Sequence, residues 1–207
     1  GENEKDPVVV TIARGTDTVT LDPAFAGDNV DIWVDSLIFE GLVRASEDGK
    51  EIEPCLADTW EISDDGLTYT FHLRDEAKFS DGTDVTAEDA AFSINRSLNE
   101  GSWNSLISCI KEAKAVDEDT VEIDLNNPSG SLLSCLASFI CAIYPESCYS
   151  TADADTLTKE PLGTGAFYLE EWKPDEKMIL KKNPYYWETG YPLADEIDLL
   201  VVPDDNT

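Results

Sequence analysis

The sequence predicts an α/β fold of the mixed α+β kind: one mixed sheet that holds both ends of the chain, interrupted by an inserted hairpin-and-helix subdomain. Three observations point there. Short, nearly continuous apolar runs occupy residues 8–12 and 197–202, the pattern of strands buried on both faces. The middle of the chain changes to alternation, with Leu67, Tyr69, Phe71 and Leu73 on one face and Thr68, Thr70, His72 and Arg74 on the other, as in a half-buried antiparallel strand. Between the strands lie a few helical stripes with clear start signals. The expected division is a discontinuous sheet domain, 1–45 with 156–207, and an inserted subdomain, 46–155.

In chain order, the first apolar run precedes a helical stripe from Asp31 to Phe39 whose Val30, Val34, Leu37 and Ile38 face inward, and which Gly41 ends. Trp60-Glu61-Ile62-Ser63 then pairs with the alternating strand across Asp64-Asp65-Gly66, where glycine supplies the positive φ of a tight turn. Thr86 before Ala87-Glu88-Asp89 reads as a hydroxyl N-cap followed by acids at the positive end of a helix. That helix carries Ala90, Ile94 and Leu98 on one stripe and stops at Gly101. Residues 103–113 and 129–137 are further helix candidates. A second hairpin joins 113–116 to the alternating Val121, Ile123 and Leu125, and a third joins 167–172 to 178–182 through Lys173-Pro174-Asp175-Glu176.

With 207 residues, folding hides roughly 70% of the surface of the unfolded chain, so a sizeable core is within reach. Forty-four acidic against fourteen basic residues give a formal charge of -30, which repels nucleic-acid phosphate and anionic lipid. The longest apolar stretch, 132–144, is broken by Ser134 and Ser138 and falls short of the about 20 residues that span a bilayer. Residues 1–7 read as a mature start from which any targeting peptide has been removed. Five cysteines, Cys55, Cys109, Cys135, Cys141 and Cys148, form an odd set without a CxxC pair, so buried free thiols are expected rather than a zinc site or a disulfide framework.

Enzyme signatures are scarce: the chain has no GxSxG, P-loop, HExxH or GxGxxG motif, and its one histidine, His72, sits mid-strand. Neither catalysis nor a metal or other cofactor is expected. Asp117-Glu118-Asp119 lacks the glycine of a calcium loop and reads as a turn. Gly163-Thr164-Gly165 could offer amides to an anion, but the favoured reading is a tight lead-in to the strand that follows. Tyr185, Tyr186, Trp187 and Tyr191 could stack on a sugar; covering the edge of a core is favoured.

The order of several pieces carries more information than any one of them. Leu21-Asp22-Pro23, Phe39-Glu40-Gly41-Leu42, Pro54-Cys55-Leu56-Ala57-Asp58-Thr59-Trp60, the 65–74 strand, Phe79-Ser80-Asp81-Gly82 and Thr86-Ala87-Glu88-Asp89 come first. Leu162 to Phe167, Trp172, Asn183-Pro184-Tyr185-Tyr186-Trp187 and Val202-Pro203-Asp204-Asp205 follow. In this order and spacing the chain resembles the family 5 extracellular solute-binding proteins, the peptide, dipeptide and nickel receptors of ABC importers. Two departures are mild: Ala166 stands where the family usually has proline, and Phe39 where it commonly has tyrosine.

The resemblance implies a periplasmic-binding-protein-like fold of two lobes hinged around a ligand cleft, of which this sequence is the first lobe. It implies a non-catalytic, monomeric receptor that captures a peptide or similar solute and delivers it to an ABC permease. The location implied is extracellular or periplasmic, with a lipoprotein anchor on the full-length protein. From this lobe the resemblance points to Phe25, Ala26 and Asp28 in the loop after the first strand, to Trp33, and to Trp103 as cleft-facing groups. Packing into the core at a helix start is the alternative for Trp103. Other functional readings are an acidic hydrolase with a carboxylate pair and an acidic module that binds a basic protein.

Overall fold

The structure, a computed structural model, describes residues 6–203; Asp204 and Asp205 of the last quoted motif, and residues 1–5, lie outside the described residues. In chain order the elements are β1 (Val9–Arg14), α1 (Asn29–Ile38), β2 (Val43–Ala45), β3 (Ile52–Pro54), β4 (Ala57–Ile62), β5 (Thr68–Leu73), α2 (Ala87–Glu100), β6 (Ile110–Ala115) and β7 (Thr120–Leu125). There follow α3 (Leu132–Leu136), α4 (Glu146–Tyr149), α5 (Ala154–Lys159), β8 (Phe167–Lys173), β9 (Lys177–Lys182) and β10 (Glu196–Val201), with 3-10 turns at Asn104–Ile107 and Phe139–Cys141.

Both terminal runs enter one sheet, of order β1-β10-β9-β8. β1 lies parallel to β10, and the other pairs are antiparallel. Burial departs from expectation. Val8, Val9, Val10 and Ile12 are 40–52% exposed, because β1 is an edge strand and nothing among the described residues covers either of its faces. β10 alternates, burying Ile197 and Leu199 only. An apolar run shows that both faces could be buried; the neighbours decide whether they are.

The second sheet, β4-β5-β7-β6, is antiparallel throughout. Gly66, at φ +70°, turns the first of its hairpins. Tyr69, Phe71 and Leu73 of β5 point inward in register with Ile123 and Val121 of β7, and α2 packs on β6 and β7. A reciprocal capping box starts α2: the Asp89 amide donates to Thr86 Oγ1, and the Thr86 amide donates to the Asp89 carboxylate, which satisfies two otherwise orphaned donors.

Of the two weaker helix expectations one fails and the other is met only in part. Residues 103–113 form only a short 3-10 turn before becoming β6, since the open edge of β7 offers ladder hydrogen bonds that outweigh the modest helix preference of Lys111-Glu112-Ala113. Residues 129–137 contain a helix of five residues only. α1 begins at Asn29 and ends at Ile38, with Phe39 as its extended C-cap, and buries Asp31, Val34, Asp35 and Ile38 in place of Val30 and Leu37.

The buried side chains form two clusters. One holds Val34 and Ile38 of α1 with Met178, Leu180, Ile197 and Leu199 of the first sheet, and also Tyr144, Tyr149 and Leu157. The other gathers Phe71, Val121, Ile123, Ala90 and Ile94 around the second sheet, together with Leu42 and Val43. The chain thus changes cluster near residues 41 and 142.

Gly163-Thr164-Gly165 is a close-approach segment: the Gly165 amide donates to the Ile38 carbonyl at 2.8 Å. A Cβ on Gly165 would lie 2.5 Å from the Leu37 carbonyl oxygen, and one on Gly163 would lie 2.2 Å from that of Ile38. Gly165→Ala is therefore expected to cost about 1–3 kcal/mol, the range for overpacking a tight contact. Gly27→Ala, where a Cβ meets nothing within 4 Å, is the control in the same urea titration, and equal midpoints would remove this account of Gly165.

Candidate functional site

The loop between β1 and α1 is held from below by α2. Asp22 is buried, and the Arg96 guanidinium donates to both its oxygens, at 2.8 and 2.6 Å. This bidentate geometry suits a carboxylate removed from water. Arg96 also stands 5.4 Å from the ring centres of Phe25 and Tyr144 and 5.8 Å from that of Tyr149. The chain leaving α2 at Gly101 returns to the same loop. Ser102 N donates to the Ala24 carbonyl at 2.9 Å, and Trp103 Nε1 donates to the Ala26 carbonyl at 2.8 Å.

The sequence-predicted residues separate into three groups. Phe25 and Trp103 are both part-exposed, 42% and 39%; the Phe25 ring stands near Arg96, Trp103 has Phe139 edge-on at 6.4 Å, and no described contact joins the two rings. Trp103 is thus neither free of the core nor lost in it: its polar edge is used and part of its face is open. Ala26 is fully buried with its carbonyl occupied, so it supports Trp103 and presents no side-chain surface. Asp28 is exposed at the N-cap of α1 without a side-chain capping bond. Trp33 projects from α1, 69% exposed, and no described contact joins it to Phe25 or Trp103. Arg96, Asp22 and Phe139 escaped sequence reasoning; the small polar stripe Ser93, Arg96, Ser97 beside Ala90 and Ile94 is the one trace of them.

A cavity of about 280 Å³ adjoins Phe139, lined among others by Asp35, Phe39, Glu40, Arg44, Ser138 and Tyr186. Glu40 accepts from Thr164 Oγ1 at 2.9 Å, Tyr186 Oη at 3.0 Å and Trp187 Nε1 at 3.1 Å. Desolvation raises its carboxyl, and these donors moderate the effect. Arg44 donates to Glu188 at 2.9 Å, and Arg74 lies 3.7 Å over the Trp187 ring. Tyr186 and Trp187 therefore lock the end of the first sheet to the second, and they are not a free stacking surface. Asp35 is different: both its carboxylate oxygens are buried with no hydrogen-bond partner among the described residues, and burial, followed by the charges of Asp31 and Asp22, pushes it up to about 8. All five cysteines are free thiols. No group of His, Cys, Asp and Glu able to hold a metal occurs among the described residues.

The description of the bacterial extracellular solute-binding proteins, family 5 (middle region), matches residues 51–207. This chain belongs to that family. As a member of family 5 it is 33% identical over 201 residues to the glutathione-binding protein GsiB of Salmonella typhi, a match covering 96% of this chain and 39% of the relative. Among solved structures it superposes with a TM-score of 0.89 at 29% identity on MoaA of A. tumefacien in complex with mannopinic acid, over 95% of this chain and 41% of that one. DppA from Helicobacter pylori, in complex with the peptide STSA, gives 0.84 at 31% identity, over 95% and 43%. The mixed α/β fold is thus that of periplasmic binding proteins. The chain spans between 39% and 43% of the length of these relatives, all of which are binding proteins.

Proposed function

We propose that this chain is the ligand-capturing first lobe of an ABC-importer receptor for peptides or similarly sized solutes, and that it performs no catalysis. The observation that carries this reading is a pair of large, part-exposed rings on one loop region, Phe25 beside Arg96 and Trp103 tied by its Nε1 to the buried Ala26 carbonyl, that are not withdrawn into the core. Exposed apolar area fixed in place from beneath is what a ligand surface needs, with Asp28 and Trp33 of the α1 region as further cleft-facing groups. In the same reading 1–45 with 156–207 form the sheet domain and 46–155 the inserted subdomain, with the packing edges displaced toward 41 and 142. The receptor closes a second lobe over the solute by hinge motion, and the closed form docks on the membrane permease. It works as a monomer outside the cytoplasm, anchored as a lipoprotein. A hydrolase is disfavoured because the buried Asp22 is already paired with Arg96 and no activated nucleophile stands near it among the described residues.

Isothermal titration tests this. A pool of di- to tetrapeptides, with glutathione, is titrated into the 207-residue chain and into a receptor of its relatives' length that carries this sequence as its first lobe. A solute enclosed by two lobes loses about half its buried surface when one is removed, and each 1.4 kcal/mol is a tenfold loss. The expected result is micromolar binding to the receptor, weakened about tenfold or more by Trp103→Ala, and millimolar or weaker binding to the chain alone. Equal affinity for both, or peptide cleavage that is lost on substitution of one carboxylate, overturns the proposal.

A further inference from the structure

We propose that Cys109 and Cys135 form a redox pair, closed to a disulfide by exchange with a low-molecular-weight disulfide, and that the bridge pins the segment behind Trp103 to α3. Only its effect on affinity rests on the reading above; pairing is a property of this chain alone. Trp103 opens the 3-10 turn Asn104–Ile107, and Cys109 follows that turn by two residues. α3 packs on the turn, and Cys135 Sγ donates to the Leu106 carbonyl at 3.5 Å, three residues before Cys109. Both thiols are free and half-buried, and both pack on the cluster that buries Ile107, Leu132 and Leu136. Burial, followed by the charge of Cys109, pushes the Cys135 thiol up, which sets the two sulfurs within each other's field.

The remaining thiols are out of competition. Cys141 is buried, and burial pushes its thiol up, so it stays protonated and slow to exchange. Cys55 is buried beside Glu40, and Cys148 is exposed on α4. Oxidation is the chemistry open to two neighbouring, part-exposed thiols. One cysteine thiolate attacks a sulfur of the small disulfide and expels one thiol, and the second thiolate attacks the resulting mixed disulfide and expels the other. The protein loses two electrons and two protons, and the small disulfide gains them as two thiols. α3 has five residues and the 3-10 turn four, neither with a side-chain cap bond, so packing alone seats them. A covalent link across that contact restrains both, and with them Trp103, whose ring meets Phe139 just beyond α3.

The test exposes the Cys148→Ser chain, which lacks the exposed thiol of α4, first to reduced glutathione and then to excess glutathione disulfide; the remaining thiols are alkylated and counted by mass spectrometry. The expected result is the loss of two alkylation sites, a mass lower by about 2 Da before alkylation, and Cys109 linked to Cys135 in a chymotryptic digest cut after Phe139, which separates Cys135 from Cys141. Cys135→Ala should abolish the pairing, and Cys141→Ala should not. Amide exchange over residues 104–108 and 132–136 should slow about tenfold or more on oxidation. Peptides should bind the oxidised receptor of the relatives' length about threefold or more tightly than the reduced one. Thiols that stay unpaired, a link through Cys141, a mixed disulfide that persists, or unchanged exchange overturns the pair, and equal peptide affinity in the two forms overturns its coupling to Trp103. If peptides bind the receptor and no pair closes, the pair fails and the receptor reading stands. If the pair closes and exchange slows while no solute binds the receptor, the receptor reading fails and the pair stands.

Discussion

Asp35→Asn is expected to stabilise this chain by several kcal/mol at pH 8–9 and to flatten its stability between pH 4 and 8. In the unfolded chain Asp35 ionises like any aspartate, near 3.8, whereas in the fold burial and the neighbouring Asp31 and Asp22 push it up to about 8. The folded state therefore keeps a proton that the unfolded state releases across this window. A raised carboxyl pKa contributes stability that is complete below the unfolded value and is lost as pH rises through the folded one. Each pH unit inside the window costs about 1.4 kcal/mol, so the whole interval amounts to something on the order of 5 kcal/mol, a large part of the 5–15 kcal/mol typical of a domain. Asparagine has nothing to ionise. Urea denaturation of both proteins at pH 5, 7 and 9 should show the gap widening with pH. Parallel curves would mean that Asp35 is hydrated or paired in solution.

Arg96→Met should destabilise by about 3–5 kcal/mol, because it leaves Asp22 buried without its cation. The shape of the side chain is roughly kept, so the loss reflects charge more than volume. Arg96 donates to both oxygens of Asp22, at 2.8 and 2.6 Å, and to Tyr144 Oη at 3.2 Å. The loop it fixes carries Phe25 and the Ala26 carbonyl that holds Trp103, so ligand affinity in the receptor should fall together with stability. Combining Arg96→Met with Asp22→Asn separates the two effects. The double variant should recover a substantial part of the stability, with a coupling energy of about 2–3 kcal/mol in the cycle. Additive losses would show that the pair contributes through packing and not through charge.

The -30 charge argues against anionic partners from the sequence alone, yet none of the features on which the two variants act could be read from it. A count of carboxylates carries no information on which few are withdrawn from water.

What the sequence determined by itself is the set of features encoded over a few neighbouring residues. The β4–β5 hairpin across Gly66, the β8–β9 hairpin, and α2 with its Thr86–Asp89 box each depend on a turn, a cap or a period contained in one short segment. The tertiary structure decided everything that depends on a neighbour from elsewhere in the chain. It rotated α1 so that Asp31 and Asp35 face inward in place of Val30 and Leu37, and it left β1 bare as an edge. It carried the strand expected from 113 back to Ile110, in place of a helix, because β7 lay beside it. The hydrogen bond that fixes Trp103 joins it to Ala26, 77 positions away, and the ion pair that holds the same loop joins Arg96 to Asp22, 74 positions away. Local torsional preference and periodicity act within a turn or two of chain, whereas the cost of burying a carboxyl or exposing a ring is set by whichever distant segment folds against it.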